Sequence, residues 1–230
     1  MAALTSITQA DVEKLCVTDT YNSSIIPSLE AYLNQSVASA SPYSFQATKT
    51  LLKFYSFFPT VLNPPNSLKA MLLSLADFPT GNFGVLTFIV QPNESTQLQT
   101  YTERLNTIMR WGELIETGDF VTFWAEFGEE QLSDKSRGVD DLPLTTLFPG
   151  FASALRSSIL QTLSLTFKKM PVAQFNKFLN VSGVDIAPKS DVVDGVEGDC
   201  VAFRPVAGVN DVRSKVENVG ASFNLVSKVL

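Results

Sequence analysis

The chain has 230 residues, of which 45% are apolar and 17% are charged, a balance typical of a globular protein rather than a disordered one. Its net charge of −6 argues against a general nucleic-acid coat, because phosphate binding needs a positive field. The charge is uneven: residues 1–150 carry 8 basic and 16 acidic side chains, and residues 151–230 carry 9 basic and 7 acidic ones.

The first part of the chain contains successive amphipathic patterns with helical spacing. Thr8 is placed to cap a helix that runs to about Val17, and Ser23 or Ser24 starts a second helix. Ser44 begins a third helix, which Pro59 ends. Short connections favour antiparallel packing of neighbouring helices, so we expect a stack of helical hairpins.

The helical pattern continues as far as residue 130. Asn66 is predicted to cap a helix after the Pro64-Pro65 pair, and a shorter helix covers Phe83 to about Val90. Ser95 opens the longest helix, and a turn at Thr117-Gly118-Asp119 follows it. Asp119 then caps a helix that is rich in aromatic residues. Residues 1–130 are therefore predicted to form a helical-repeat domain of the HEAT or TPR type, although no strict sequence repeat is present.

Aromatic residues at three- and four-residue spacing indicate the core face of these helices. The predicted core anchors are Tyr55, Phe120, Phe123 and Trp124. Trp124 in particular is expected to be buried and to anchor the hairpin turn at Gly118-Asp119.

A polar run that starts at Gly128 interrupts the helical pattern, and residues 131–147 are the predicted linker. Beyond it, residues 148–230 read as a helix around Phe151–Leu163, a short extended step, and a helix in whose first turn Pro171 fits. Residues 184–196 are ambiguous, with a short helix as one reading. This order predicts a small winged-helix domain of α+β type.

The segment Cys200–Pro205, with the larger side chains of Val201 and Phe203 at alternate positions, is predicted to be a strand near a sheet edge that Pro205 ends. Edge strands can pair with a neighbouring chain, so Val201 and Phe203 are candidate partner contacts.

The C-terminal segment from about Asn210 to the end is predicted to be a helix with an apolar seam at steps of four and three. The seam contains Val212, Val216, Val219, Phe223, Val226 and Leu230. Such a seam must be covered, either by the chain's own winged helix or by a partner subunit. In the second alternative Val219, Phe223, Val226 and Leu230 are candidate partner contacts.

The usual equipment of an enzyme is missing from the sequence. It contains no histidine, no phosphate-binding loop, no nucleophile elbow and no Cys-x-x-Cys pair. We therefore expect no catalytic residue, no metal and no cofactor. The two cysteines, Cys16 and Cys200, are too few for a typical disulfide-stapled secreted protein. With no signal peptide and no apolar stretch of about 20 residues, we expect a cytoplasmic protein with no membrane segment.

Three motifs in order resemble the family of k subunits of eukaryotic translation initiation factor 3. The first is Tyr21-Asn22 followed by Leu29–Leu33, the second is Leu51–Pro59, and the third and most specific is Leu114–Trp124. Phe151 and Leu163–Pro171 extend the resemblance beyond the predicted linker. The linker is longer than the family pattern suggests, and residues 183–198 match it poorly.

The resemblance implies a helical repeat fused to a winged helix, the PCI-like architecture shared with scaffold subunits of the proteasome lid and the COP9 signalosome. It further implies a cytoplasmic, non-catalytic scaffold within the factor that organises the 40S ribosomal subunit for initiation, with the l subunit as close partner. Two other interpretations stay open: a scaffold subunit of a related lid-type complex, and a nucleic-acid-binding winged helix. The latter is disfavoured by the predicted reader-helix region, Ile186–Asp194, which holds one lysine and two acids.

Overall fold

The computed structural model describes residues 7–39, 43–90, 99–133, 144–182 and 191–204, and these residues are mostly helical. The first seven helices are α1 (Gln9–Thr18), α2 (Ile26–Ser39), α3 (Phe45–Phe57), α4 (Pro64–Ala76), α5 (Asn82–Thr87), α6 (Gln99–Glu116) and α7 (Phe120–Ser133). The remaining elements are α8 (Leu144–Leu147), α9 (Phe151–Thr166), β1 (Lys169–Pro171), α10 (Val172–Leu179), β2 (Val193–Glu197) and β3 (Cys200–Phe203). Short 3₁₀ turns precede α2 and α4, at Ser23–Ile25 and Pro59–Val61.

Local capping sets several helix starts. Thr8 accepts a hydrogen bond from the backbone N–H of Asp11, and Ser44 accepts one from Ala47, as the sequence predicts for both. The prediction that Asn66 caps α4 is wrong. Asn63 is the cap, and the prolines at 64 and 65 are the first two helical residues, where a missing N–H costs nothing.

Helix α4 lies at the centre of the helical stack, in contact with α2, α3, α5, α6, α8 and α9. Every residue from Asn66 to Ala76 is buried except Lys69. A helix with so little exposed surface must be enclosed by neighbours, which explains why its sequence is apolar or small on all sides.

The predicted domain boundary falls in a region that the structure describes only at its two ends. Helix α7 continues through Gly128 to Ser133, so the polar run does not end it. Residues 144–147 form α8, in which Leu144 and Leu147 are buried against the rest of the chain. Residues 134–143 lie outside the described part of the chain, and the division into two domains stays a prediction.

The sheet has three antiparallel strands in the order β1-β3-β2. The prediction that Cys200–Pro205 lies near an edge is wrong, because β3 pairs with β1 on one side and β2 on the other. A short helix is also wrong for the end of the ambiguous segment, where Val193–Glu197 is β2. Its Asp, Gly and Glu residues are depleted in strands generally, so local composition hid this strand.

Candidate interaction surfaces

An aromatic cluster joins α6, α7 and α9 in the core. The four residues predicted to be core anchors are all buried: Tyr55, Phe120, Phe123 and Trp124. The cluster also contains Trp111 of α6, which stacks on or meets edge-on the rings of Phe123, Phe127 and Phe151 at centroid distances of 5.4–6.3 Å. Sequence reasoning missed Trp111, although Ile108, Trp111 and Ile115 share the helical spacing that identifies a core face.

Trp124 connects α7 to the region of the sheet rather than to its own hairpin turn. Its indole Nε1 donates a hydrogen bond to the backbone carbonyl of Phe178, at 2.9 Å. The guanidinium of Arg156 in α9 lies 4.8 Å from the ring centroid and donates from Nε to the carbonyl of Leu179, also at 2.9 Å. Burial lowers the pKa of Arg156.

The contacts of Trp124 and Arg156 satisfy the last carbonyls of α10, which have no partner within that helix. We call Trp124, Arg156 and the carbonyls of residues 178–179 the α10 clamp. The clamp ties α7 and α9 to the helix that packs directly on β1 and β3. No sequence signal identified Arg156, because its partners are backbone atoms distant in sequence.

Tyr55 anchors α3 to α2. Its hydroxyl donates a hydrogen bond to the carboxylate of Glu30. Burial, together with that bond, raises the pKa of Tyr55. The phenol therefore remains neutral and keeps donating to Glu30 at physiological pH.

The residues predicted to contact partners are not brought together in the structure. Val201 and Phe203 are buried by the chain itself on the central strand, so the edge-strand argument no longer supports either of them. Val219, Phe223, Val226 and Leu230 lie outside the described residues, and their role stays a prediction.

The outer side of β1 is poorly suited to pairing with another strand. Phe203 donates to the carbonyl of Lys168 and Val172 donates to that of Asp199, so the backbone groups of the two residues that flank β1 point toward β3. The backbone N–H and C=O of Lys169, and the C=O of Pro171, consequently point away from β3. Proline has no N–H, and it therefore interrupts any further ladder on this side.

The outer side of β2 is better suited than that of β1 to pairing with another strand. Arg204 donates to the carbonyl of Val192, and the register pairs Gly195 with Ala202 and Glu197 with Cys200. By the alternation of an antiparallel ladder, the N–H and C=O of Val196 point away from β3. Val196 is also 46% exposed, so within the described residues this edge offers both backbone groups and an apolar side chain.

Ion pairs cover the open face of the sheet. Lys169 of β1 reaches across to Glu197 of β2, and Arg204 lies 3.8 Å from the carboxylate of Asp194. The opposite face of the sheet packs against the core, so these charged side chains lie on the face that is exposed to water. Their exposed position gives each pair a small stabilising effect.

Neither a metal site nor a membrane span is evident in the described part of the chain. Its acids and cysteines form no group of three or more that could hold a metal ion. None of its helices is long and apolar enough to cross a membrane. Several large apolar side chains are nevertheless exposed, among them Phe88 at 85% and Tyr21 at 81%.

The described residues define a mainly helical protein whose helical stack carries a small antiparallel sheet. The chain is similar to proteins named eukaryotic translation initiation factor 3 subunit K. It is 26% identical over 166 residues to the one from Dictyostelium discoideum, a match that covers 72% of this chain and 60% of that protein. It is 28% identical over 159 residues to the one from Drosophila persimilis, covering 68% and 63%.

The relative from Aedes aegypti is 23% identical over 150 residues, which cover 65% of this chain and 60% of that protein. These similarities confirm the resemblance inferred from the sequence motifs. The chain spans about 60% of the length of the curated relatives it matches. It matches no protein-family model.

Proposed function

We propose that this chain is a non-catalytic scaffold subunit of the eukaryotic translation initiation factor 3 complex, acting in the cytoplasm during assembly of the 40S pre-initiation complex. The observation that carries the proposal is the 26% identity over 166 residues to subunit K of Dictyostelium discoideum. A sequence without histidine, together with described surfaces that favour contacts, supports a role in geometry rather than chemistry.

The architecture that we propose is a HEAT- or TPR-like helical repeat in residues 1–130 followed by a winged helix in residues 148–230. The order α9, β1, α10, β2, β3 and the antiparallel pairing of β2 with β3 support it, because a winged helix ends in such a hairpin. The predicted linker separates the two parts in sequence.

For the partner contacts, we propose the outer edge of β2, with the l subunit as the neighbour that the resemblance implies. A partner strand there would pair with the backbone of Val196, as in other cases of strand addition. The 46% exposure of Val196 adds apolar surface for the same contact.

Purification of the tagged protein from eukaryotic cells, with identification of its companions by mass spectrometry, tests the function. Initiation factor 3 subunits, with the l subunit enriched, are the expected companions. Subunits of a proteasome-lid or COP9-type complex would replace the proposal by the related scaffold role. Recovery of nucleic acid in place of either set would favour the nucleic-acid-binding winged helix, whose binding should fall steeply with salt.

The β2 edge has its own test in the same purification. Val196→Pro removes the outward N–H and leaves the inner ladder to β3 in place, so recovery of the l subunit should fall. Val196→Ala is the matched control, since it removes the side chain but keeps the N–H. Equal recovery with both variants and with the wild type would exclude this edge.

The C-terminal seam requires a different experiment. If Val219, Phe223, Val226 and Leu230 dock on a partner, truncation after Val216 should leave the isolated fold intact and weaken co-purification. If the segment instead covers its own winged helix, the same truncation should destabilise the isolated chain. A truncated protein that folds normally and assembles at full strength would rule out both.

A further inference from the structure

A cleft of about 210 Å³ opens where the turn between α4 and α5 meets the end of α6. Two aromatic side chains, Phe78 and Phe83, line it, and Phe78 packs edge-on against Phe120 with centroids 6.3 Å apart. Phe83 is buried and fixed against Gly112 of α6. The aromatic part of the lining is therefore held in place by the core.

A carboxylate also lines this cleft. The carboxylate of Glu116, the last residue of α6, stands at its rim beside α5. Ser74 of α4 also belongs to the lining, but it is 1% exposed and its hydroxyl lies beside that of Tyr43. The charged group that the lining presents is therefore the carboxylate of Glu116.

We propose that this cleft, named here the Glu116 cleft, receives an arginine side chain from a basic segment of a partner protein. A guanidinium fits the lining because its flat faces stack on phenyl rings while its edge donates to a carboxylate. Residues 1–150, to which every residue of the lining belongs, carry an excess of acidic side chains that favours a basic partner.

Another, larger concave surface of the described residues does not have this chemistry. The groove between α2, α4 and α9 has a lysine at its rim, Lys69, whose ammonium already donates to Asn34 at 2.6 Å. A positive rim would repel a basic segment. The Glu116 cleft is also distinct from the outer edge of β2, so its occupant is an additional contact.

The isolated chain suffices to test the cleft. N-acetyl-arginine amide and N-acetyl-citrulline amide have nearly the same shape, but only the first is charged. Titration of each into the ¹⁵N-labelled protein should move the amide signals of Thr80–Phe83 and Glu116 with the arginine probe and leave them unmoved with citrulline. Equal movement with both probes, or none with either, would overturn the proposal.

Two substitutions locate the charge that the probe recognises. Glu116→Gln should weaken binding of the arginine probe about tenfold, because a charge-assisted hydrogen bond is lost. Glu113→Gln, one turn earlier on α6 and outside the cleft lining, should leave binding unchanged. An equal loss in both variants would overturn the proposal by assigning the effect to general charge.

The comparison of the arginine and citrulline probes uses the unsubstituted protein. It therefore remains decisive even if the Glu116→Gln or the Glu113→Gln variant fails to fold. Binding of the arginine probe does not depend on which complex contains the chain. Failure of the Glu116 cleft and failure of the scaffold function would consequently be seen in separate experiments.

Discussion

At the scale of single residues, Gly112 is the position where α6 has no room for a side chain. A Cβ at this position would lie 2.8 Å from Cδ1 of the Phe83 ring, closer than carbon atoms approach. Gly112→Ala should therefore lower the free energy of unfolding by about 1–3 kcal/mol, the usual cost of overpacking a core. Urea denaturation at equilibrium measures it.

The same substitution at Gly128 provides the control for Gly112. Gly128 lies within helix α7, and a Cβ built there meets nothing within 4 Å. Gly128→Ala should therefore raise the free energy of unfolding by about 0.5–1 kcal/mol, because alanine loses less conformational entropy in a helix. Opposite signs for the two variants are expected, and a stabilising effect at Gly112 would contradict the packing argument.

Trp124 is the second residue whose removal the structure makes costly. Trp124→Ala deletes a buried ring, 5% exposed, and leaves the carbonyl of Phe178 without its donor. We expect a loss of about 3–5 kcal/mol in the free energy of unfolding. Val121→Ala, on the same helix but 48% exposed, should change it by no more than about 0.5 kcal/mol. Similar thermal midpoints for the two variants would disprove the anchoring role.

At the scale of elements, the start of α7 depends on its cap. The carboxylate of Asp119 accepts a hydrogen bond from the backbone N–H of Thr122 at 3.2 Å. Hydrogen bonds from the Thr122 side chain and backbone lower the pKa of Asp119. Its ionised form is therefore favoured by folding, and the stability that it contributes is present above the carboxyl's ordinary pKa and is lost as pH falls through the lower folded value.

Asp119→Ala should accordingly lower the thermal midpoint at neutral pH, and the gap to the wild type should narrow in acid. Asp119→Asn keeps a capping oxygen and should stay close to the wild type at neutral pH, since the two residues cap about equally well. Midpoints measured from neutral pH to below the ordinary pKa of aspartate, about 3.9, provide the check. A gap that widens in acid would contradict this sign.

The elements also show what local sequence can and cannot decide. The caps Thr8, Ser44 and Asp119 could be predicted, because a cap depends on a few adjacent residues. Asn63 could not be distinguished from Asn66 by residue type alone, since both can cap. The central position of β3 depends on β1, which lies about thirty residues earlier, and pairing at that separation leaves no mark in the strand's own alternation.

At the scale of the whole molecule, the α10 clamp connects α7 and α9 of the helical stack to the helix that packs on the sheet. Arg156 of α9 stacks on Trp124 of α7 and donates a hydrogen bond to the carbonyl of Leu179 at the end of α10. One side chain therefore connects three helices. The spacing of apolar residues in the sequence does not predict a contact between backbone carbonyls and a guanidinium that is distant along the chain. The clamp could for this reason not be predicted from the sequence, whereas the buried aromatic residues of α7 could.

Arg156→Ala should loosen the sheet without unfolding the helical stack. In native-state hydrogen exchange, the amides of β1 and β3 should lose protection, because the carbonyl of Leu179 loses its donor and Trp124 loses its stacking partner. The amides of α6, which takes part in neither of these two contacts, should keep their protection. Arg110→Ala is the matched control: it removes an arginine that pairs with Glu126 at 2.7 Å on the surface of α6 and α7, and it should leave the sheet unaffected. Uniform loss of protection across α6 and the sheet in Arg156→Ala would mean that Arg156 supports global stability and not the coupling between the two parts.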